Sequence, residues 1–189
     1  MPVHVVWYVG VVLLVVVLGR IYWQWMTFRA NRLITCPENQ RPAGVRLNAW
    51  HATWTGMAKN PEFRLSSCTR WPERAGCGQQ CLSQIEAAPE ACEVRRILAA
   101  WYRGKQCASC GQPIGEILWA VQKPALLMAD KTTLEWNQIP VDRLPETLER
   151  SAAVCFACHM ASTLVREHPD LAVERPQPSG TGGKGVLKT

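Results

Sequence analysis

Along the whole chain no Ser/His/Asp set, phosphate-binding loop or carboxylate pair can be singled out, so nothing in it points to hydrolytic or phosphoryl-transfer chemistry, and an enzyme is not the expected reading. No strand–helix–strand alternation frames its cysteine pairs, and a thioredoxin-like redox site needs that frame. The net charge is +6, yet basic residues never form a block longer than Arg95-Arg96. A specific nucleic-acid surface is therefore not expected, and a basic balance close to anionic lipid is the simpler account. Phenylalanine and tyrosine are scarce, three of each against nine tryptophans. Lys and Arg are missing ahead of the first apolar run, where a secretory signal peptide would carry a basic segment, and no small-residue cleavage site follows it.

That apolar run is nearly unbroken over residues 5–18 and extends over residues 2–25 with Arg20 as its one full charge. About 20 apolar residues suffice for a helix to cross the hydrocarbon layer. Arg20 can snorkel to the head groups, with Tyr22, Trp23 and Trp25 beside it at the interface. Residues 2–25 therefore read as an uncleaved, single-pass anchor whose partner is the lipid bilayer. Arg20, Arg29, Arg32 and Arg41 all follow the run. The positive-inside tendency then puts the amino terminus outside and the rest of the chain in the cytoplasm, at the cell membrane. A cytoplasmic domain keeps its thiols reduced and free for metal.

Nine cysteines are far above the ordinary share, and an odd number leaves one over in any all-disulfide scheme. Four of them form two matched pairs, Cys107-Ala108-Ser109-Cys110-Gly111 and Cys155-Phe156-Ala157-Cys158-His159. Two residues between cysteines let both sulfurs reach one ion from a tight turn. Two such turns give four thiolates, which close a tetrahedral zinc shell. The second pair is also C-x-x-C-H, the pattern for covalent haem attachment, in which Cys155 and Cys158 would bind the vinyl groups and His159 the iron. The two readings exclude each other, because a thioether sulfur cannot also ligate zinc.

Four further cysteines, Cys36, Cys68, Cys77 and Cys81, are candidates for a second metal site, zinc or an iron–sulfur cluster. Cys77 and Cys81 are four apart, which on a helix would aim both at one ion. The competing reading makes them small buried apolar residues. Cys92 is the expected odd one, inside a helix over residues 89–102 with an apolar stripe of Val94, Ile97, Leu98 and Trp101.

The remaining pattern is of short elements. Strands are expected over residues 45–47, 63–65, 117–121, 126–128 and 132–136, the last two joined by a turn at Ala129-Asp130-Lys131. On the last strand Leu134 and Trp136 share one face, with Thr133 and Glu135 opposite. Helices are expected over residues 48–59, from Pro145, and past the second cysteine pair until Pro169. The fold class is α+β, a transmembrane helix followed by a small cysteine-rich domain of short strands and helices stapled by metal. Its parts are an anchor and interfacial flank over residues 1–33, a cysteine-rich helical subdomain over 34–104, a cysteine module over 105–168, and a Pro/Gly/Ser-rich tail over 169–189 expected to be disordered.

The order cysteine turn, hairpin, cysteine pair at a helix start resembles the treble-clef and zinc-ribbon group of four-cysteine zinc modules. The resemblance implies Cys107, Cys110, Cys155 and Cys158 as ligands, and a module that organises structure and binds partners. At a membrane this gives a scaffold with a membrane-protein partner and one or two zinc ions. The second pair also resembles the c-type cytochrome motif, implying haem c and electron transfer through Cys155, Cys158 and His159. Orientation and helix arguments favour zinc, with His159 either exposed or behind the ligands. An iron–sulfur or thiol redox protein is the third reading.

Overall fold

The computed structural model describes residues 3–74 and 76–171; the tail expected to be disordered lies, from residue 172 on, outside the described residues. Helix α1, Val3–Phe28, is continuous and none of its apolar window is buried within the protein. It is one helix long and apolar enough to cross a membrane. Its end leads directly into a sheet. Strands β1 (Asn31–Thr35), β2 (Pro42–Leu47) and β3 (Leu65–Cys68) form an antiparallel meander in the order β1-β2-β3. Strand β1 was not anticipated, and the expected boundary between residues 33 and 34 falls inside it. The obstacle is Arg32, a charge at the second position of the strand that is only 3 % exposed. Its guanidinium donates to the Pro89 carbonyl and sits near the Thr27 carbonyl. Burial lowers its pKa, and Glu93 works against that.

Helix α2, Ala49–Ala58, begins where expected, because the Asn48 side chain accepts the His51 N–H at 3.0 Å. Its tryptophan stripe does not enter a core. Trp50, Trp54 and Met57 are exposed, and the Trp25 and Trp50 rings lie 6.1 Å apart where α2 packs on the end of α1. Strand β3 starts two residues later than expected, at Leu65.

Cys77 and Cys81 do not share a helix face. Gln79 between them has φ +54°, so helix α3, Leu82–Ala87, starts only after Cys81. Nor does Cys92 lie in a helix. Helix α4 is Val94–Tyr102, because Glu93 is extended and pairs across to Arg32, while Leu33 donates to the Cys92 carbonyl at 2.8 Å. The α4 stripe is as expected in kind, with Val94, Leu98 and Tyr102 buried.

The second sheet joins β4 (Ala125–Leu127), β5 (Thr133–Glu135) and β6 (Ala152–Val154), antiparallel in the order β5-β4-β6. The hairpin between β4 and β5 is the expected one, with Lys131 at φ +64° in its turn. Its third strand is β6, not residues 117–121. The latter make a turn, with Gln122 donating to the Leu118 carbonyl at 2.7 Å, and leave Leu118 and Val121 in solvent. Helix α5, Leu144–Arg150, precedes β6, and helix α6, Phe156–Glu167, follows it.

Two clusters of apolar side chains result. One, around Val45, Leu47, Leu65, Cys81 and Ile85, lies under the first sheet. The other, around Leu98, Tyr102, Leu126, Leu144 and Leu148, lies between α4, α5 and the second sheet. Fully burying each such side chain contributes about 1.5–3 kcal/mol. The two halves meet closely at Gly44, where a Cβ would stand 2.7 Å from that of Val141. Any larger residue there forces the halves apart.

Candidate metal centre

The first cysteine turn is closed by backbone bonds within six residues. Cys107 N–H donates to the Gln112 carbonyl and Gly111 N–H to the Cys107 carbonyl, each at 2.8 Å. The fold-back needs a left-handed residue, and Gly111 supplies it at φ +73°. Gln106 pairs with Pro113 across its base. The second pair sits at a strand-to-helix junction. Strand β6 delivers Cys155 in extended conformation at the cap of α6, and Cys158 follows within the first turn. Ala108 N–H donates to the Ala153 carbonyl at 2.9 Å, which fastens the turn to β6.

This lacing brings the sulfurs of Cys107, Cys110, Cys155 and Cys158 within 4.8 Å of one another. A tetrahedral shell with zinc–sulfur bonds near 2.3 Å has sulfur–sulfur edges of about 3.8 Å. The Cys110–Cys155 pair, at 3.9 Å, already stands at that separation. The four cysteines therefore lie close enough to bind one metal ion. Among the described residues they are the one group of cysteine, histidine and acidic side chains that converges in this way.

The electrostatics are those of thiols crowded into one small volume. Burial works to raise the Cys107 thiol, but the N–H groups of Cys155, Cys110 and Ser109 outweigh it and bring it down to about 6. The Cys155 N–H reaches that sulfur at 3.3 Å. Cys158 goes the other way: its hydrogen bond to Cys155, then burial and the Cys110 and Cys107 sulfurs, push it up to about 12. One thiolate forms readily and the last proton is retained, because like charges this close oppose each other. A divalent cation among them reverses that opposition.

His159 is not exposed as one branch of the sequence reading had it; only 5 % of it is accessible. Its ring lies on β5, with Nδ1 2.9 Å from Thr133 Oγ1 and Nε2 3.8 Å from Glu135 Oε1. Thr133 also reaches Ser162 Oγ at 2.8 Å, and Ser162 donates to the His159 carbonyl. The face of β5 carrying Thr133 and Glu135 is thus turned onto α6. Strand alternation alone could have flagged Thr133 and Glu135 as a polar pair awaiting a partner.

The upstream cysteines gather more loosely. Cys36 follows β1, Cys68 ends β3, and both pack against the cluster containing Cys81. Cys36, Cys77 and Cys81 line an open cleft of about 560 Å³. Arg70 donates to the Cys36 sulfur at 3.0 Å, and Glu38 pairs with both Arg70 and Arg74. Burial and then the Cys68, Cys77 and Cys36 thiols raise Cys81. Cys92 stands apart, buried and facing the Gln84 carbonyl at 3.8 Å. No family model matches the chain, and no curated protein or solved structure matches it either, so the reading of the site rests on its own geometry.

Proposed function

We propose that this is a single-pass membrane protein in which Cys107, Cys110, Cys155 and Cys158 hold one structural zinc ion, and that the module so ordered docks a partner protein at the membrane. The observation that carries the reading is the convergence of four sulfurs within 4.8 Å from a closed turn and a strand-to-helix junction laced to it. Four sulfurs in a tetrahedral set suit zinc or iron. Backbone N–H groups aimed at Cys107 favour the thiolate that either metal needs.

Two observations favour zinc over haem. Thioether formation would withdraw Cys155 and Cys158 from the other two sulfurs. The His159 ring is also engaged with Thr133 and buried, where a haem ligand must face iron. The membrane assignment is supported by the apolar length of α1, by exposed Tyr22 and Trp23 near its end, and by Trp50 and Trp54 of α2 beside them. Of the arginines that follow the apolar stretch of residues 5–18, Arg32 is consumed by the fold, while Arg20, Arg29 and Arg41 remain exposed and favour a cytoplasmic domain.

Metal analysis and an absorption spectrum of the detergent-purified full chain test this. Zinc bound to the wild type and one equivalent less in Cys110→Ser are the expected results. A Soret band that survives acid–acetone extraction would establish haem instead, and iron with acid-labile sulfide would establish a cluster. An intact mass that still includes residues 1–28 is expected for a retained anchor; loss of that segment would identify a signal sequence.

A further inference from the structure

The turn at Cys36 has the same construction as the turn at Cys107, residue for residue. Cys36 N–H donates to the carbonyl five residues on, Arg41, at 2.9 Å, as Cys107 does to Gln112 at 2.8 Å. Gln40 N–H returns to the Cys36 carbonyl at 2.8 Å, as Gly111 does to Cys107. The residue four places after the cysteine is left-handed in both, Gln40 at φ +56° and Gly111 at φ +73°. The residue before the cysteine pairs with a proline across the base in both, Thr35 with Pro42 and Gln106 with Pro113. Backbone N–H groups two and three places on lower the thiol's pKa in both, those of Glu38 and Asn39 in one and of Ser109 and Cys110 in the other.

The two turns differ at one chemically decisive place. Asn39 stands where the second turn has Cys110, and its side chain accepts the Arg41 N–H at 3.1 Å instead of offering a sulfur. A backbone of this form presents a thiolate to a cation, because its N–H groups stabilise negative charge on sulfur. Here it presents Cys36 alone. Two further sulfurs, Cys77 and Cys81, line the same cleft, and Cys68, at the end of the strand two places across the sheet, packs against the cluster that contains Cys81. One plus three restores the count that closes a zinc shell. Arg70, 3.0 Å from the Cys36 sulfur, and Arg74, lining the cleft, supply positive charge next to what would be a doubly negative centre.

We propose that Cys36, Cys68, Cys77 and Cys81 form a second four-thiolate site for a zinc-class divalent cation, built on a repeat of the downstream turn. The cleft is wider than a metal shell, so binding draws the Cys77 segment in toward Cys36. Gly76 and Gly78 flank that cysteine, and a Cβ at either would meet nothing within 4 Å, so the segment has room to move. The repeat explains why Cys36, with no second cysteine near it in sequence, follows β1 in so closely defined a turn.

Zinc content per chain, read by native mass spectrometry on the full-length protein in detergent, tests the site. The wild type is expected to carry two ions, Cys77→Ser one, and Cys110→Ser one. Cys77 is exposed, so its replacement leaves the fold intact, and retention of the wild-type circular dichroism spectrum checks this. One ion in the wild type that persists in Cys77→Ser and vanishes in Cys110→Ser would overturn this proposal and leave the downstream site standing. A wild-type content unchanged in Cys110→Ser would instead overturn the downstream reading. The repeat makes a further demand: adding Asn39→Cys to Cys77→Ser returns a sulfur where the second turn has one, and zinc content should rise from one back to two. A double variant that stays at one would overturn the equivalence of the turns.

Discussion

Downstream, the Cys107 turn is bonded to β6 through Ala108 and Ala153, and β6 itself runs into the cap that carries Cys155. Upstream, the Cys36 turn faces Cys77 across an open cleft, in a segment with no strand or helix until Leu82. Both sets hold four cysteines and both begin from the same turn. One set arrives with its sulfurs together; the other surrounds a gap. The difference lies in where the third and fourth sulfurs are mounted. A strand-to-helix junction has few conformations, so its sulfurs are held before any ion comes. A glycine-flanked loop has many, and ordering it opposes binding. The downstream site should therefore bind more tightly, and the upstream site should be the one that loses its ion first.

The sharpest separation of the two is by stability. Structural zinc contributes on the order of 10 kcal/mol or more to folding in small modules. Cys110→Ser should consequently lower the melting temperature most, since it breaks the shell on which β6, α6 and the Cys107 turn converge. Cys77→Ser should lower it less, because the core under the first sheet is already formed by Val45, Leu65 and Ile85. Cys92→Ser should do least of the three, about 1 kcal/mol, because serine can repeat the contact with Gln84. Thermal unfolding followed by circular dichroism ranks them. Equal midpoints for Cys110→Ser and Cys92→Ser would remove the case for a four-thiolate site.

His159→Ala separates packing from ligation within the downstream half. Removing the buried ring takes a partner from Thr133 and opens a cavity, at about 2–3 kcal/mol. Zinc content should not change. Loss of the ion along with the ring would make His159 a ligand and return the C-x-x-C-H pattern to consideration.

The residues that revealed this arrangement in sequence were those whose spacing carries its own geometry. The two C-x-x-C pairs, the apolar run of α1, the helix from Asn48 and the Ala129-Asp130-Lys131 turn are legible from residues near one another in sequence: the four sulfurs do come close enough for one ion, α1 is long and apolar enough to cross a membrane, and the helix and the turn lie where expected. What stayed hidden depended on distant partners. Arg32 reads as surface until Pro89 and Glu93 are beside it. Residues 117–121 have strand composition, but β6 already occupies the free edge of β4. Cys77 and Cys81 have helical spacing, but Gln79 turns left-handed between them. The repeated turn was missed for a related reason: it is a repeat of backbone bonds, and its chemical marker, the second cysteine, is Asn39 in one copy.

Tyr102→Phe asks how far the downstream half relies on its core as well as its sulfurs. The Tyr102 hydroxyl is buried and donates to the Ala125 carbonyl at 2.5 Å, pinning α4 to β4. Burial also raises its pKa, since a phenolate has no compensation there. Phenylalanine keeps the packing and removes the bond, for a loss of about 1–2 kcal/mol in urea unfolding. A neutral result would mean that the sheet is positioned by the cysteine shell alone.

The smallest effects come from the left-handed residues of the two turns, and they compare the turns most directly. A non-glycine residue in that conformation carries about 1–2 kcal/mol of steric strain. Gly111 avoids it, so Gly111→Gln should destabilise by about 1 kcal/mol, with no clash to add because a Cβ there meets open space. Gln40 already bears the strain, and its amide donates to the Pro37 carbonyl at 2.9 Å, which offsets part of it. Gln40→Gly releases the strain and forfeits a bond worth about 0.5–1.5 kcal/mol. The two terms nearly cancel, and the expected shift lies within about 0.5 kcal/mol of zero. Urea midpoints of the two variants should therefore be unequal, with Gly111→Gln clearly lower than its parent and Gln40→Gly close to it. If Gly111→Gln were as mild as Gln40→Gly, the Cys107 turn would not need a left-handed residue at that place, and the two turns would not be the same structure.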